Sequence, residues 1–495
     1  MAIKIDTQKE IIFGSSDPNV SRILSAKEKN GELRKIAPRI YTTNLMDKPE
    51  NIVRRNLMEI LAHRYPNALI SHRSAKEMRP TSSGDFFLTN STTRRVTDLP
   101  GIVLNFVKGP KAIAKDIPFM GLHISGEFRY MLENMQVSRK SGSESRVLPV
   151  ETIETKLEQL LLMGGEDRLN EYRDELREVA NELGMTDEFA KINNIISALL
   201  ATHDTKVLST ASAKARAAGN PFDAKRVELF EILFDTIKDR YFVIRNNRNT
   251  DEESFRLFSF FESYFSNYIE GTEFDIEEAK EIVDSGIPIP RRDEDSHDIL
   301  GTFKILSNRA EMMRTPTSPE ELFAILSHRH EVLLEGRPHM NPGVFKTRNN
   351  RAGQTEFVDY QLVKGTLSQG FKYYSALTDP FAKAIFMMFM ISEVHPFNDG
   401  NGRIARVMMN AEFVRADQSR IIVPTVFRED YILALRKLTR HQDPLTYINV
   451  MTKLHQFSDN LYGTDFTELK NYLAACNAYD DPSQAKLQIV DRTIV

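Results

Sequence analysis

The sequence predicts a mainly α-helical protein preceded by a basic α/β module, and three observations carry that reading. From about residue 150 onward, apolar residues recur at helical spacing, as in Ile153–Met163, Leu169–Leu183, Glu252–Ile269 and Phe381–Val394. β-like alternation is concentrated in residues 80–145, around Asp85–Leu88 and Gly101–Leu104. Charge changes near the same place. Residues 1–150 carry 24 Lys+Arg and 15 Asp+Glu, a balance of +9, whereas the remainder carries 41 and 54, a balance of −13.

A chain of 495 residues with 41% hydrophobic content has room for two or three domains with ordinary cores. Cys476 is the only cysteine, so no disulfide can form within the chain. Met1–Glu10 is charged and lacks the apolar core of a secretion signal. The longest apolar stretch, Phe381–Val394, contains Lys383 and Glu393 and is too short to span a bilayer. The expectation is a cytoplasmic protein with no membrane partner.

In order, Val20–Asn30 reads as a short helix with Ile23 and Leu24 inward, and Asn30-Gly31 is a turn signal. Leu33, Ile36, Ile40 and Tyr41, interleaved with Arg34, Lys35 and Arg39, read as a basic wing. Gly31–Arg34 and Arg39–Tyr41 resemble the winged-helix N-terminal part of AbiEi-type abortive-infection antitoxins, and Ser71–Ala75 and Glu127–Glu133 extend the likeness more loosely. Ile40 departs from it, standing where those proteins have glycine. The resemblance implies a winged-helix-like unit and makes DNA a candidate partner, since phosphate contact needs clustered Lys and Arg. This module is assigned to residues 1–146, with Ser141–Ser145 as a loop. A helical connector is assigned to 147–224, punctuated by Gly164-Gly165 and Gly184 and ended by Gly219-Asn220-Pro221.

Residues 225–296 form the next helical segment. Phe255, Phe258, Phe261, Tyr264 and Phe265 make one apolar stripe over Glu252–Ile269, and Gly271 follows as a C-terminal cap. Ser266 and Glu270, four apart, share a face. Ser327-His328-Arg329-His330 has a His-x-His spacing, but on a helix this reads as surface rather than as a metal site. Asn341–Lys346 and Asn349–Gly353 are turn-rich and flank a β-prone run, Thr355–Tyr360.

The richest stretch is His395-Pro396-Phe397-Asn398-Asp399-Gly400-Asn401-Gly402-Arg403-Ile404-Ala405-Arg406. Pro396 is hostile to a continuing helix, so the chain must turn after His395. Gly400 and Gly402 let backbone amides approach an anion, and helical spacing resumes at Asn401 with Val407, Met408, Ala411 and Val414. A glycine-bearing loop that opens a helix is a phosphate site by its free N–H groups and its dipole. Arg403 and Arg406 share the first turn, and guanidinium groups pair well with phosphates. Asp399 offers a hard oxygen for Mg²⁺, and His395 is the group that can accept a proton near pH 7.

This stretch resembles the Fic family signature, His-Pro-Phe-x-Asp/Glu-Gly-Asn-Gly-Arg-x-x-Arg, at every specified position. The resemblance implies a helical Fic core, assigned to 297–457, followed by a tail, 458–495. It implies a protein adenylyltransferase with ATP as co-substrate, Mg²⁺ as cofactor and a target protein that offers a hydroxyl. His395 would be the base and Asp399 the metal ligand. Gly400, Asn401, Gly402 and Arg403 would hold the phosphates, and Arg406 would meet the γ-phosphate. Phe397 would anchor the loop. Related Doc toxins carry lysine where Gly402 stands, so glycine favours nucleotide over phosphate transfer. Ser266, Glu270 and Gly271 resemble the Fic inhibitory motif, with Glu270 pairing to Arg406. Thr355, Glu356, Phe357 and Val358 resemble the flap hairpin that pins a target by strand addition. Two alternatives stand beside this: removal of AMP by the same site, and a DNA-binding regulator of toxin–antitoxin type whose Fic core senses nucleotide.

Overall fold

Asp17 caps the first helix, Pro18–Lys29. Its carboxylate accepts from the Asn19 N–H at 2.8 Å, and Pro18 takes the first helical position. Strands β1 (Ile11–Phe13), β2 (Arg34–Ala37) and β3 (Ile40–Thr42) then form an antiparallel sheet in the order β1-β3-β2. The β2–β3 hairpin covers the stretch that the sequence reads as a basic wing. The pair of helices that a helix-turn-helix sets across DNA is not among the described residues 9–42, which hold one helix. Arg34, expected as a wing cation, is turned inward instead. Its guanidinium donates to the carbonyls of Asn44, at 3.1 Å, and Asp47, leaving Lys35 and Arg39 exposed.

The computed structural model describes residues 9–200, 207–290, 292–353, 355–490 and 492. The charged N-terminal stretch up to residue 8 therefore lies outside the described residues. The chain divides into two units, residues 1–218 and 219–495.

The first unit continues with a six-stranded mixed sheet. Its strands are β4 (Leu69–Ile70), β5 (Asp85–Asn90), β6 (Arg94–Leu99), β7 (Ile102–Lys108), β8 (Ile117–Phe119) and β9 (Leu122–Ile124). The order is β6-β7-β5-β4-β9-β8, with β5–β7 and β4–β9 parallel and the other pairs antiparallel. Phe86, Leu88, Leu104 and Phe106 pack with Ile60 and Leu61 of the helix Leu57–Arg64, all at most 2% exposed. The residues that carried the looser N-terminal resemblance meet in one buried network. Arg129 pairs with Asp116 and Glu133 at 2.9 Å each, and Glu133 also accepts from the His72 N–H at 2.8 Å. A network this dry must be fully satisfied, because each unpaired member would be costly.

Helices Val150–Leu183, Thr186–Leu199 and Ala211–Ala217 follow. Gly165 breaks the first of them at φ 69°. Ile153, Leu157, Leu169 and Leu176 share a core with Met131 and Leu132 of the helix Glu127–Glu133. The stretch expected as a connector thus packs with the module before it.

The second unit is helical. At its centre Pro380–Val394 packs against Asn401–Arg415. The central helix is apolar nearly all round, with Phe381, Ile385, Met388, Phe389 and Ile391 at most 3% exposed, as such a helix must be in a globular core. Glu252–Ile269 has the bounds expected from its apolar stripe. Arg428–His441 and Pro444–Ser458 follow the central pair, and Phe466–Ala475 is the helix of the expected tail. No helix among the described residues is long and apolar enough to cross a membrane.

Candidate functional site

The central helix ends at His395, which adopts a left-handed conformation at φ 50° while its N–H still reaches Ile391 O at 2.9 Å. Pro396 then turns the chain into the loop. His395 Nδ1 lies 2.8 Å from the Ser392 carbonyl. A carbonyl only accepts, so the proton sits on Nδ1 and Nε2 is left as the basic nitrogen. Burial lowers the His395 pKa to about 4, with the Lys346 cation adding to the effect. The Ser392 carbonyl and the carboxylates of Glu270 and Asp399 oppose it. The ring is therefore neutral, and ready to take a proton, throughout the physiological range.

The loop is tied internally. Asn401 Oδ1 accepts from the Phe397 N–H and its Nδ2 donates to Phe397 O, both at 2.8 Å. The Asn401 side chain, expected to hold phosphate, is used up as a loop staple, and what it can offer an anion is its backbone N–H at the helix start. Phe397 is fully buried and stacks on His330 at 3.8 Å between ring centroids.

His330 corrects the reading of Ser327–His330 as surface. It is fully buried. Its Nδ1 accepts from the Gly343 N–H at 2.9 Å, and its Nε2 lies 3.0 Å from the Asp399 carbonyl, so this ring braces the loop from behind. Burial lowers its pKa to about 4, as it does for His455. Both rings stay neutral in the fold, while the unfolded chain takes up their protons below about 6.5. Their contribution to stability is therefore present above pH 6.5 and is lost as pH falls toward 4. Thermal melts between pH 7 and 4 should show a fall in melting temperature that flattens in His330→Gln relative to its own value at pH 7. An unchanged slope in that variant would exclude His330 as a source.

Asp399 is 40% exposed at its side chain and faces a cleft of about 430 Å³ that His395, Gly400, Gly402 and Arg406 also line. Gly400 sits at φ 71°, where a side chain would be strained, and caps the helix Asn401–Arg415. At Gly402 an added Cβ would collide with Glu270 Oε1. This glycine is thus the opening through which the Glu270 carboxylate reaches the helix start.

The two arginines differ in role. Arg406 is 5% exposed and fully committed. Its Nε donates to Ser266 Oγ at 3.0 Å, and one terminal nitrogen donates to Ser266 O at 2.8 Å and Glu270 Oε1 at 2.7 Å. Burial pushes the Glu270 carboxyl up, but the Arg406 guanidinium outweighs it and the net shift is down. Gly271, at φ 94°, follows the Glu270 cap and ends the helix as expected. Arg403 departs from expectation. It is 3% exposed, does not line the cleft, and pairs with Asp298 at 2.8 Å. Asp298 holds Arg337 as well, at 2.7 Å. Arg403 therefore acts on the loop from below, 3.7 Å from the Asp399 carboxylate.

Strands β10 (Arg351–Ala352) and β11 (Thr355–Glu356) form a short antiparallel hairpin beside the loop. Thr355 and Phe357 face the cleft, Glu356 is exposed and Val358 is buried, as alternation along an extended chain requires. The Phe357 ring lies flat on His395, with centroids 3.5 Å apart. Arg226 donates to the Glu356 carbonyl and pairs with Glu393, both at 2.6 Å, which ties the hairpin to the central helix two residues before His395.

Sequence reasoning missed Lys346, Asn350 and Tyr431. Lys346 is 3% exposed, and burial lowers its pKa to about 8. Its Nζ donates to Asn350 Oδ1 at 2.7 Å, its backbone N–H donates to Pro396 O at 2.9 Å, and Asn350 donates to Phe397 O at 2.9 Å. The one available signal was the cluster of turn residues around them. Tyr431, with Ile432 and Leu435 of the helix Arg428–His441, forms the apolar part of a cleft wall that also carries Arg428, Arg436 and Arg440.

Comparison with known proteins bears out the resemblance of the motif region. Residues 318–412 match the Fic/DOC family. The chain is 25% identical over 177 residues to protein adenylyltransferase fic-1 of Caenorhabditis elegans, covering 35% of each protein. It is 24% identical over 214 residues to protein adenylyltransferase Fic of Nematostella vectensis, covering 40% of this chain and 47% of that one. The matches thus span about a third to a half of these relatives. A solved fragment of Fic-1 from C. elegans aligns with 66% of this chain at a TM-score of 0.35 and 16% identity.

Proposed function

We propose that the second unit moves AMP from ATP to a hydroxyl side chain of a target protein, and that Glu270 on Arg406 holds this activity down. The observation that carries the reading is the cleft itself. A neutral imidazole with a free Nε2, an exposed carboxylate and a glycine-opened helix start line one wall of it, and the helix Arg428–His441 lines the other with Tyr431, Ile432 and Leu435 among arginines.

In the reaction, the target oxygen bonds to the α-phosphorus, the bond to the bridging oxygen of the β-phosphate breaks, and pyrophosphate leaves. His395 Nε2 receives the hydroxyl proton. The backbone N–H groups at the start of Asn401–Arg415 and the helix dipole hold phosphate oxygens in line, which is where phosphoryl-type transfer finds most of its rate. Tyr431, Ile432 and Leu435 offer an apolar seat for the nucleobase. The donor set suits Mg²⁺. Asp399 presents one hard oxygen to the cleft, and phosphates and water would complete the shell. When bound, Mg²⁺ would neutralise phosphate charge beside Asp399. The β11 edge would hold the target backbone, and Phe357 must leave its stack on His395 before a hydroxyl can reach Nε2.

Inhibition follows from occupancy. Glu270 fills the place of a Gly402 side chain and takes the terminal nitrogen of Arg406 that a γ-phosphate would need. A charge-assisted bond of this kind is worth about 1.5–3 kcal/mol. Glu270→Gly should therefore raise label transfer from α-³²P-ATP by roughly 10- to 100-fold. A folded Glu270→Gly protein that transfers no label would sink the reading. The Glu270 side chain is also 34% exposed at the cleft, which favours a second use: placing a water for AMP removal. Release of AMP from a labelled target by wild type, and not by Glu270→Gly, would reveal it.

A further inference from the structure

The first unit holds a second cleft, of about 530 Å³, that the transfer reaction does not use. It lies where the parallel strands β5 and β7 end, at Asn90 and Lys108, which is where open sheets with parallel strands place their ligands. Its wall contains Tyr65 and Phe106, packed edge to face with centroids 5.0 Å apart. The Arg94 guanidinium, which is not among the lining residues, backs both rings at 5.2 and 4.3 Å. Lys111 adds an exposed cation at the rim, and no carboxylate lines the cleft. Asn67, held at φ 62° with its N–H bonded to Gly121 O at 2.9 Å, presents an amide there. Asn90 presents another, whose Oδ1 is taken by the Ser91 N–H at 2.7 Å. His123 lines the same cleft, and its Nδ1 is buried without a hydrogen-bond partner.

A buried polar nitrogen left without a partner is costly and needs an explanation. We propose that this cleft is a binding site for a nucleoside monophosphate. The aromatic pair gives a planar base a surface to lie against. The Asn67 and Asn90 amides can read the edge of a heterocycle, each offering N–H donors. The His123 ring lines the cleft, and a turn of that ring toward the ligand would give Nδ1, which can donate or accept according to tautomer, the partner it lacks. Lys111 supplies charge for the phosphate at the rim. The lining offers the Lys111 cation and no carboxylate, which suits an anionic ligand and not a cationic one.

The chain contains no tryptophan, so Tyr65→Trp puts the only indole of the protein in this cleft. AMP titrated into the full-length Tyr65→Trp protein should change the emission saturably, with half-saturation at or below about 1 mM. Adding His123→Leu should raise the half-saturation point by about tenfold, through loss of one buried hydrogen bond. Adenosine and inorganic phosphate are the separating arms, and each should bind more weakly than AMP. No saturable change with AMP, an unaltered midpoint in the His123→Leu background, or phosphate alone reproducing the AMP curve would each overturn the proposal. Because Tyr65→Trp could disturb the pair with Phe106, the wild type is tested in parallel. Photolabelling with 8-azido-AMP should mark peptides spanning residues 65–69 or 106–123, and label confined to residues 395–440 would also overturn it.

Discussion

His395→Ala should reduce label transfer by about 10²- to 10⁴-fold, the usual contribution of a positioned general base. The loss should appear in the Glu270→Gly background, where the transfer is otherwise fast enough to follow. ATP binding should persist, because the helix start, Asp399 and Arg406 are untouched. The pH profile offers a second check. With the His395 pKa lowered to about 4, the base is neutral above that value, so the acid limb of the rate should lie well below 6.5. The sign is simple: protonation removes the base, and burial postpones protonation. Transfer within tenfold of the parent in the His395→Ala background would remove the imidazole from the chemistry and throw weight onto phosphate positioning alone.

The largest loss of stability should come from Asp298→Ala. Asp298 is 2% exposed and bonds Arg403 at 2.8 Å and Arg337 at 2.7 and 3.0 Å. Burial pushes its carboxyl up, and the two guanidinium groups pull it back. Its removal leaves the buried Arg403 without its counter-charge, and breaking one partner from such a pair costs about 3–5 kcal/mol. In a unit of this size the melting temperature should fall on the order of 10 °C. There is a functional consequence too. Arg403 already stands 3.7 Å from the Asp399 carboxylate, and once released it should move onto it and weaken the cleft's one exposed metal ligand. Transfer in the surviving folded protein should then need more Mg²⁺ to reach half its maximum. A change in stability under about 1 kcal/mol by denaturant unfolding would mean that solvent, rather than Asp298, compensates Arg403.

Much of the second unit was legible in the sequence because its determinants are local. Glu252–Ile269 begins at an Asp251 cap and ends before Gly271, and its apolar stripe repeats at helical spacing, so its bounds could be read without neighbours. Pro380–Val394 is similar, bounded by Asp379 and Pro396. The motif residues His395, Asp399, Gly400 and Gly402 do converge on one cleft, since all belong to a single turn. The first unit was less legible. Its sheet joins β4 to β9 and β5 to β7 across long separations, and alternation along a strand does not say which strand lies beside it.

The chemical groups and their spacing along helices and one loop are thus set locally, because backbone preferences and glycine or proline constraints act over a few residues. Which group faces which is settled by packing. Arg403 and Arg406 stand three apart and look equivalent in sequence, yet packing gives the first to Asp298, behind the loop, and the second to Glu270, in front of it. His328 and His330 look equivalent as well, and only the second is buried, stacked on Phe397 and bonded to the Asp399 carbonyl. Burial and ion pairing depend on residues brought together from distant parts of the chain, so the roles of otherwise identical side chains are assigned only when the core closes around them.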